Sequence, residues 1–272
     1  MGRIFGPVAS RRLGRSLGID VIPYKTCSFD CVYCECGRTT DLTVERAEFY
    51  PPGLILDELR QRLSGIQGGL DVLTLSGAGE PTLYSAMGEL ISGIKEMSSV
   101  PVAVITNGSL LGLREVREEL ALADIVVPSL DAALLPAFRR INRPHPALDL
   151  GEIMNGIKAF SLEYSGEIRF EILLLDGYNT GSGELEALRT FLSGLEVGSI
   201  QLNTAVRPGT VEDVKPLSAA RMEELREYFG PRCEIVASFS ARAAHEEEAA
   251  ATHILSMIER RPCTAADIGA AL

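Results

Sequence analysis

The sequence alternates between short apolar segments and longer amphipathic segments over most of its length. Short runs rich in leucine and β-branched residues predict strands, and the longer segments predict helices because apolar residues recur every three or four positions. Predicted strands span residues 17–22, 71–76, 101–106, 125–127, 167–175, 199–206 and 234–237. Predicted helices span residues 52–63, 85–97, 113–123, 150–164, 183–193 and 218–229. Strands joined by helices pair in parallel through crossover connections, so the pattern predicts a mainly parallel sheet.

This order predicts an α/β fold, a partial (β/α)6 barrel over residues 1–240 with a short helical C-terminal extension over residues 241–272. A doubly wound sheet fits the same pattern. In both architectures ligands bind at the carboxyl ends of the strands. The extension resembles a truncated winged helix, with Thr264 as a helix N-cap after Pro262. We expect it to be a structural cap and not a working DNA-binding domain.

Composition excludes several classes of protein. A chain of 272 residues with 46% hydrophobic residues can bury a substantial core, which excludes disorder and small disulfide scaffolds. The sequence has no long uncharged apolar run and no signal-peptide pattern at its start, so we expect a soluble, cytoplasmic protein without a membrane partner. The net charge of -11 argues against binding to nucleic acid.

Four of the six cysteines lie within ten residues, and three of them, Cys27, Cys31 and Cys34, form a C-x3-C-x2-C pattern. Without an export signal, this clustering is typical of metal binding. Three such thiolates can bind three irons of one [4Fe-4S] cluster and leave the fourth iron open. The alternative is a zinc site with Cys36 or a histidine as fourth ligand, although the downstream Cys or His pair of common zinc motifs is absent.

The cysteine pattern resembles that of the radical S-adenosylmethionine superfamily, and the resemblance covers residues 1 to about 240. It implies a [4Fe-4S] cluster whose open iron binds S-adenosylmethionine, with an aromatic residue, here Tyr33, before the third cysteine. It also implies reductive cleavage of S-adenosylmethionine to methionine and a 5'-deoxyadenosyl radical that abstracts hydrogen from a substrate. The chemistry belongs to the cofactor, and a low-potential electron donor of the flavodoxin or ferredoxin type is implied as a partner.

Other residues receive roles from the same resemblance and from their positions at strand ends. The segment 76–81, Ser-Gly-Ala-Gly-Glu-Pro, resembles the glycine-and-glutamate motif that binds the amino group of S-adenosylmethionine. Thr106 and Asn107 either reach the ribose or form a plain Asn-Gly turn. The predicted cofactor-binding residues are Tyr33, Gly77, Gly79, Glu80, Thr106, Asn107, Ser129, Asp131, Arg169 and Asn203.

Four of these residues lie on or after the later strands. Asp131 and Ser129 end the fourth strand, where Asp131 can instead cap a helix. Arg169 either binds the methionyl carboxylate or forms a surface ion pair. Asn203, on the sixth strand, is expected near the adenine.

A basic leader precedes the cysteines. Residues 1–25 contain five Lys and Arg residues against one Asp. We expect at least one of Arg11, Arg12 and Arg15 to face the active-site opening and bind an anionic group of the substrate, the alternative being pairing with acidic helices. The leader resembles that of small iron–sulfur oxidoreductases related to wyosine-type transfer-RNA-modifying synthases. Those synthases bind a second cluster through earlier cysteines, and here no cysteine precedes Cys27.

Three functional hypotheses follow. The first is a single-cluster radical S-adenosylmethionine enzyme that acts on a protein, a peptide or a small metabolite. The second is a transfer-RNA-modifying enzyme of the wyosine type. The third is an iron–sulfur electron carrier or redox sensor, without catalysis, in which Cys36 supplies the fourth thiolate.

Overall fold

The structure is a computed structural model and describes residues 2–10, 12–206, 209–211 and 214–237. The predicted extension at residues 241–272 therefore lies outside the described residues. The strands are β1 (Ile4–Ser10), β2 (Gly14–Ile19), β3 (Thr26–Cys27), β4 (Asp41–Leu42), β5 (Val72–Leu75), β6 (Val102–Thr106), β7 (Ile125–Pro128), β8 (Glu167–Leu173), β9 (Ser199–Asn203) and β10 (Cys233–Ile235).

Eight of these strands form one sheet in the order β1-β2-β5-β6-β7-β8-β9-β10. From β2 to β10 every neighbouring pair is parallel, and β1 alone is antiparallel, to β2. The strands β3 and β4 form a separate small sheet. The observed architecture confirms the α/β prediction and is that of a partial barrel.

The helices are α1 (Pro52–Ser64), α2 (Met87–Met97), α3 (Arg114–Leu120), α4 (Leu135–Ile141), α5 (Leu150–Glu163), α6 (Ser182–Ser193) and α7 (Ala219–Phe229), with one short 3-10 helix at Pro81–Leu83. Each long helix buries one apolar stripe against the sheet; in α2 the stripe is Met87, Leu90, Ile91 and Ile94. None of the described helices has the length and apolarity needed to cross a membrane.

The two faces of the sheet bury separate apolar clusters. Residues such as Leu73, Val104 and Val126 pack with the helices in the larger cluster. Their neighbours in sequence point to the other, concave face, because side chains alternate along a strand. On that face Leu13 packs with a small cluster, which consists of Val72, Ala103 and Val127. The polar side chains of Glu171 and Asn203 lie on the same face of β8 and β9.

The largest departure from the predicted elements lies in the leader. The strand predicted at residues 17–22 spans Gly14–Ile19, because its pairing with β5 ends at Ile19. Val21 and Ile22 are buried in the core without strand pairing. The preceding strand β1 was not predicted, and its register with β2 shifts between Phe5 and Val8. The short helix α4 was also missed.

Candidate active site

Cys27 ends β3, and Cys31 and Cys34 lie in the loop between β3 and β4, near the carboxyl ends of the parallel strands. The pairing of β3 with β4 holds the two ends of this loop together. In the middle of the loop the N–H of Val32 donates to the carbonyl of Ile141, at the end of α4, over 2.9 Å. The loop is therefore fixed both at its base and at its centre.

Each of the three sulfur atoms has a side-chain N–H donor from a different segment of the chain. The pairs are Lys25 Nζ with Cys34 Sγ (3.2 Å), Asn142 Nδ2 with Cys31 Sγ (3.4 Å) and Asn107 Nδ2 with Cys27 Sγ (3.7 Å). Donors of this kind stabilise negative charge on sulfur, and the charged donor does so most strongly. We call this set the sulfur donors.

The protonation preferences of the cysteines differ. Burial raises the pKa of Cys27 to about 12, and burial also raises the pKa of Cys31 well above its ordinary value. The pKa of Cys34 is lowered because the thiol of Cys36 donates to it and the Lys25 ammonium lies beside it. Burial opposes the charge of Lys25, but attraction to the Cys34 thiolate outweighs it and raises the lysine pKa.

This donor set fits a [4Fe-4S] cluster. Buried thiols become thiolates when a cation binds them, as the irons of a cluster do. In the described part of the chain, no three Cys, His, Asp or Glu side chains converge closely enough to hold a single metal ion. A zinc site needs all its ligands around one ion, whereas a cubane takes one thiolate per iron. The three sulfurs with their separate N–H donors therefore fit a cluster that takes one thiolate per iron.

The glycine motif at residues 77–80 packs on the residue that precedes the first cysteine. The N–H of Glu80 donates to the carbonyl oxygen of Thr26 over 3.2 Å. A Cβ atom on Gly79 would lie 2.0 Å from that same oxygen, so only glycine allows this approach. From the sequence, Gly79 is predicted to bind S-adenosylmethionine. The structure shows a nearer reason for glycine at this position, which is contact with the cysteine loop.

Glu80 is buried and connects the glycine motif with the end of β6. Its Oε1 atom accepts hydrogen bonds from the Thr82 N–H (3.0 Å), the Thr82 hydroxyl (2.7 Å) and the Thr106 hydroxyl (2.6 Å). Its Oε2 atom accepts from the N–H of Asn107 over 2.7 Å. Burial raises the pKa of Glu80, and these donors oppose the shift. Oε2 keeps an acceptor position for a further donor, because each carboxylate oxygen can accept two.

Asp131 connects the cysteine loop with β8 and α4. Its carboxylate accepts hydrogen bonds from the Tyr33 hydroxyl, from Asn142 Nδ2 (2.7 Å) and from the Leu173 N–H (2.9 Å). Burial raises the pKa of Asp131 to about 6. The alternative of a helix cap is wrong, since α4 begins without a side-chain cap. Ser129 directly follows β7, two residues before Asp131.

Arg169 and Asn203 are both hydrogen-bonded to acidic side chains of β8. The Arg169 guanidinium forms an ion pair with Glu167 (2.7 Å) and donates to the carbonyl of Arg12 (2.6 Å). Asn203 Nδ2 donates to Glu171 over 2.8 Å. The role of Arg169 toward a methionyl carboxylate stays a prediction, and its ion pair does not support it.

The leader arginines lie toward the amino end of the sheet. Arg12 forms an ion pair with Glu171 on the concave face. Arg15 donates to the carbonyls of Gln67 and Gly69, each over 2.8 Å. The Arg15 guanidinium is bound by backbone carbonyls, whereas Arg12 reaches the concave face, so the expectation that a leader arginine binds an anionic group of the substrate stays a prediction. Arg11 lies outside the described residues.

Sequence reasoning missed Lys25 and Asn142 as parts of the site. A lysine two residues before a cysteine cluster is a signal that a cation lies close to thiolates. Asn142 follows α4, a helix that the periodicity did not predict, and no local pattern indicates its contact with a cysteine 111 positions away.

Comparison with known proteins agrees with this geometry. The model of the radical SAM superfamily matches residues 21–192. The UPF0026 protein slr1464 of Synechocystis sp. is 41% identical over 75% of this chain and 76% of that protein. A protein of Brachyspira hyodysenteriae named GTPase Obg is 38% identical over 96% of this chain, which spans only 39% of that protein. This sequence contains no Gly-Lys pair and hence no P-loop.

A solved structure of TYW1 with a lysine-pyruvate adduct bound has a TM-score of 0.62 at 18% identity, over 79% of this chain and 72% of that chain. At that identity the likeness shows a shared fold. Members of the matched superfamily use a [4Fe-4S] cluster and S-adenosylmethionine. The family model covers more than half of the sequence, and the cysteine pattern lies inside the matched range. The chain belongs to the radical SAM superfamily and, within it, to the UPF0026 proteins.

Proposed function

We propose that this chain is a radical S-adenosylmethionine enzyme with one [4Fe-4S] cluster, bound by Cys27, Cys31 and Cys34. When bound and reduced, the cluster supplies the electron that cleaves S-adenosylmethionine to methionine and a 5'-deoxyadenosyl radical, which abstracts hydrogen from the substrate. The observation that carries the proposal is the direct contact between the cysteine loop and the motif at residues 77–80. This contact puts a thiolate site next to backbone carbonyls that can accept an ammonium group.

The residues around the cluster then have distinct tasks. Glu80 Oε2 and the carbonyls of residues 77–80 accept the ammonium group of S-adenosylmethionine. Tyr33 and Asp131 hold the cysteine loop against β8 through their hydrogen bond. The residues proposed for the nucleoside are Thr106, Asn107 and Ser129 for the ribose and Asn203 for the adenine. Four of these side chains are buried, namely Glu80, Thr106, Asp131 and Asn203.

The substrate class and the electron donor are further parts of the proposal. A protein, a peptide or a small metabolite is the proposed substrate, and a flavodoxin or ferredoxin is the proposed reductant. The wyosine-type reaction on transfer RNA is the alternative, and the net charge of -11 does not favour it. A cytoplasmic location stays a prediction.

An electron carrier is the second candidate, and Cys36 is the observation that favours it. Its thiol hydrogen-bonds to Cys34, and its sulfur lies 3.9 Å from the carbonyl oxygen of Gly77. A fourth sulfur is therefore available next to the cluster site. In a carrier Cys36 would bind the fourth iron, whereas in the enzyme that iron stays open.

Iron content separates the two candidates. We expect about four irons per chain after anaerobic reconstitution. Substitution of Cys27, Cys31 or Cys34 by alanine should abolish iron binding, and Cys36→Ala is the matched control that should retain it. The reduced protein should then convert S-adenosylmethionine to 5'-deoxyadenosine, detected by chromatography. A carrier would lose iron in Cys36→Ala and form no 5'-deoxyadenosine, and that pair of results would refute the enzyme.

A further inference from the structure

Lys25 differs from the other sulfur donors because it is charged and buried. Only 2% of its surface is exposed, although lysine is among the residues least often buried. The charges that act most strongly on its ammonium group belong to Cys34, Cys36 and Cys27. The positive charge of Lys25 is therefore directed at the cysteine loop.

The backbone holds Lys25 in this position. Its φ angle of 62° lies in the left-handed region, which a residue with a side chain seldom adopts. Its N–H donates to the carbonyl of Ala78 over 3.1 Å, and its carbonyl accepts from Thr40 (3.2 Å) and Asp41 (3.1 Å). The backbone is thus fixed by the glycine motif on one side and by β4 on the other. The strained conformation persists because these neighbours over-determine it.

From these contacts we propose that Lys25 is a positioning residue that raises the reduction potential of the cluster. The inference rests on the proposed function, since it requires a cluster on Cys34. Reduction adds one negative charge to the cluster and its thiolates. An ammonium group 3.2 Å from a ligating sulfur stabilises the reduced state more than the oxidised state. Asn107 and Asn142 act in the same direction, and more weakly, because their amide groups are neutral.

The test is a redox titration of the reconstituted protein in the absence of S-adenosylmethionine. Electron paramagnetic resonance measures the fraction of reduced cluster at each potential. Lys25→Met removes the charge and the donor at similar length, and Lys25→Gln removes the charge but keeps a donor. We expect Lys25→Met to lower the equilibrium constant for cluster reduction at least tenfold, about 59 mV for one electron. Lys25→Gln should fall between Lys25→Met and the unmodified protein.

Lys158→Met is the matched control, because it removes the same charge from an exposed position on α5. Its potential should equal that of the unmodified protein. An unshifted potential in either Lys25 variant with full iron content would overturn the inference and leave the proposed function intact. If Lys25→Met binds too little iron for a titration, the potential of Lys25→Gln alone decides whether the charge of Lys25 raises the reduction potential. Absence of a cluster in the unmodified protein would instead refute the proposed function.

Discussion

The two ends of the parallel sheet differ in what their polar groups contact. At the carboxyl end, Lys25 and Asn142 direct N–H groups at cysteine sulfurs. At the amino end, Arg15 donates to backbone carbonyls, and Leu13 packs in an apolar cluster. The polar groups of the amino end are therefore bound within the protein, whereas the carboxyl end directs N–H donors at three sulfurs that we propose as cluster ligands.

This difference separates two kinds of substitution. A change at the amino end should alter the free energy of unfolding and leave iron binding unchanged. A change at the carboxyl end should alter iron or ligand binding as well. The same division applies to barrel enzymes in general, where the carboxyl ends of strands bind ligands and the opposite end serves stability.

The largest effect is expected for Gly79→Ala. The new Cβ atom would meet the carbonyl oxygen of Thr26 at 2.0 Å, and backbone cannot move aside as a side chain can. We expect a loss of about 3 kcal/mol in the free energy of unfolding, the upper end for overpacking, together with a large loss of iron. Denaturant unfolding of the apoprotein and iron analysis after reconstitution measure the two effects.

Gly77→Ala is the control for that change. Its Cβ atom would meet the carboxylate of Asp20, with Oδ1 at 2.1 Å, and the end of a side chain can rotate away. Iron content should stay near that of the unmodified protein, while binding of S-adenosylmethionine weakens. Equal iron loss in both alanine variants would contradict the specific contact between Gly79 and Thr26.

Leu13→Ala is expected to have a comparable effect on stability and none on iron binding. Leu13 is 6% exposed and packs on the concave face near the amino end. Truncation of a buried leucine costs about 2–4 kcal/mol through lost burial and the cavity that remains. Thermal unfolding should show this loss, and iron content should be unchanged in the folded variant. A loss of iron at temperatures where the variant is folded would show that the two ends are coupled.

The smallest effects are expected for the leader arginines. Arg12→Gln leaves Glu171 on the concave face without its cation, and since the Arg12 side chain is 23% exposed we expect a cost of about 1–2 kcal/mol. Arg15→Gln removes only exposed hydrogen bonds to carbonyl groups and should cost less than about 1 kcal/mol. Unfolding in urea measures the loss of unfolding free energy for each of the two variants. The reverse order would mean that the Arg12 ion pair contributes no net stability.

Local patterns predicted the repeating elements and the cysteine loop, because apolar periodicity and close cysteine spacing are both visible within a short window. Contacts between distant segments were not predictable in this way. The ion pair of Arg12 with Glu171 joins residues 159 positions apart, and the bond from Asn142 to Cys31 depends on a helix without a clear pattern. Gly79 was predicted to bind S-adenosylmethionine, whereas its contact with Thr26 was not predicted. A sequence does not show that Thr26 approaches this position.

The outermost strand β1 has a consequence for how molecules of this protein behave toward one another. A barrel that does not close has a free edge, and such an edge can pair with a strand of another molecule and start aggregation. Pro7 in β1 has no N–H to offer, and the register shift between Phe5 and Val8 interrupts the regular ladder. The strand therefore offers a poor template for intermolecular pairing, so association through this edge of the open barrel is disfavoured.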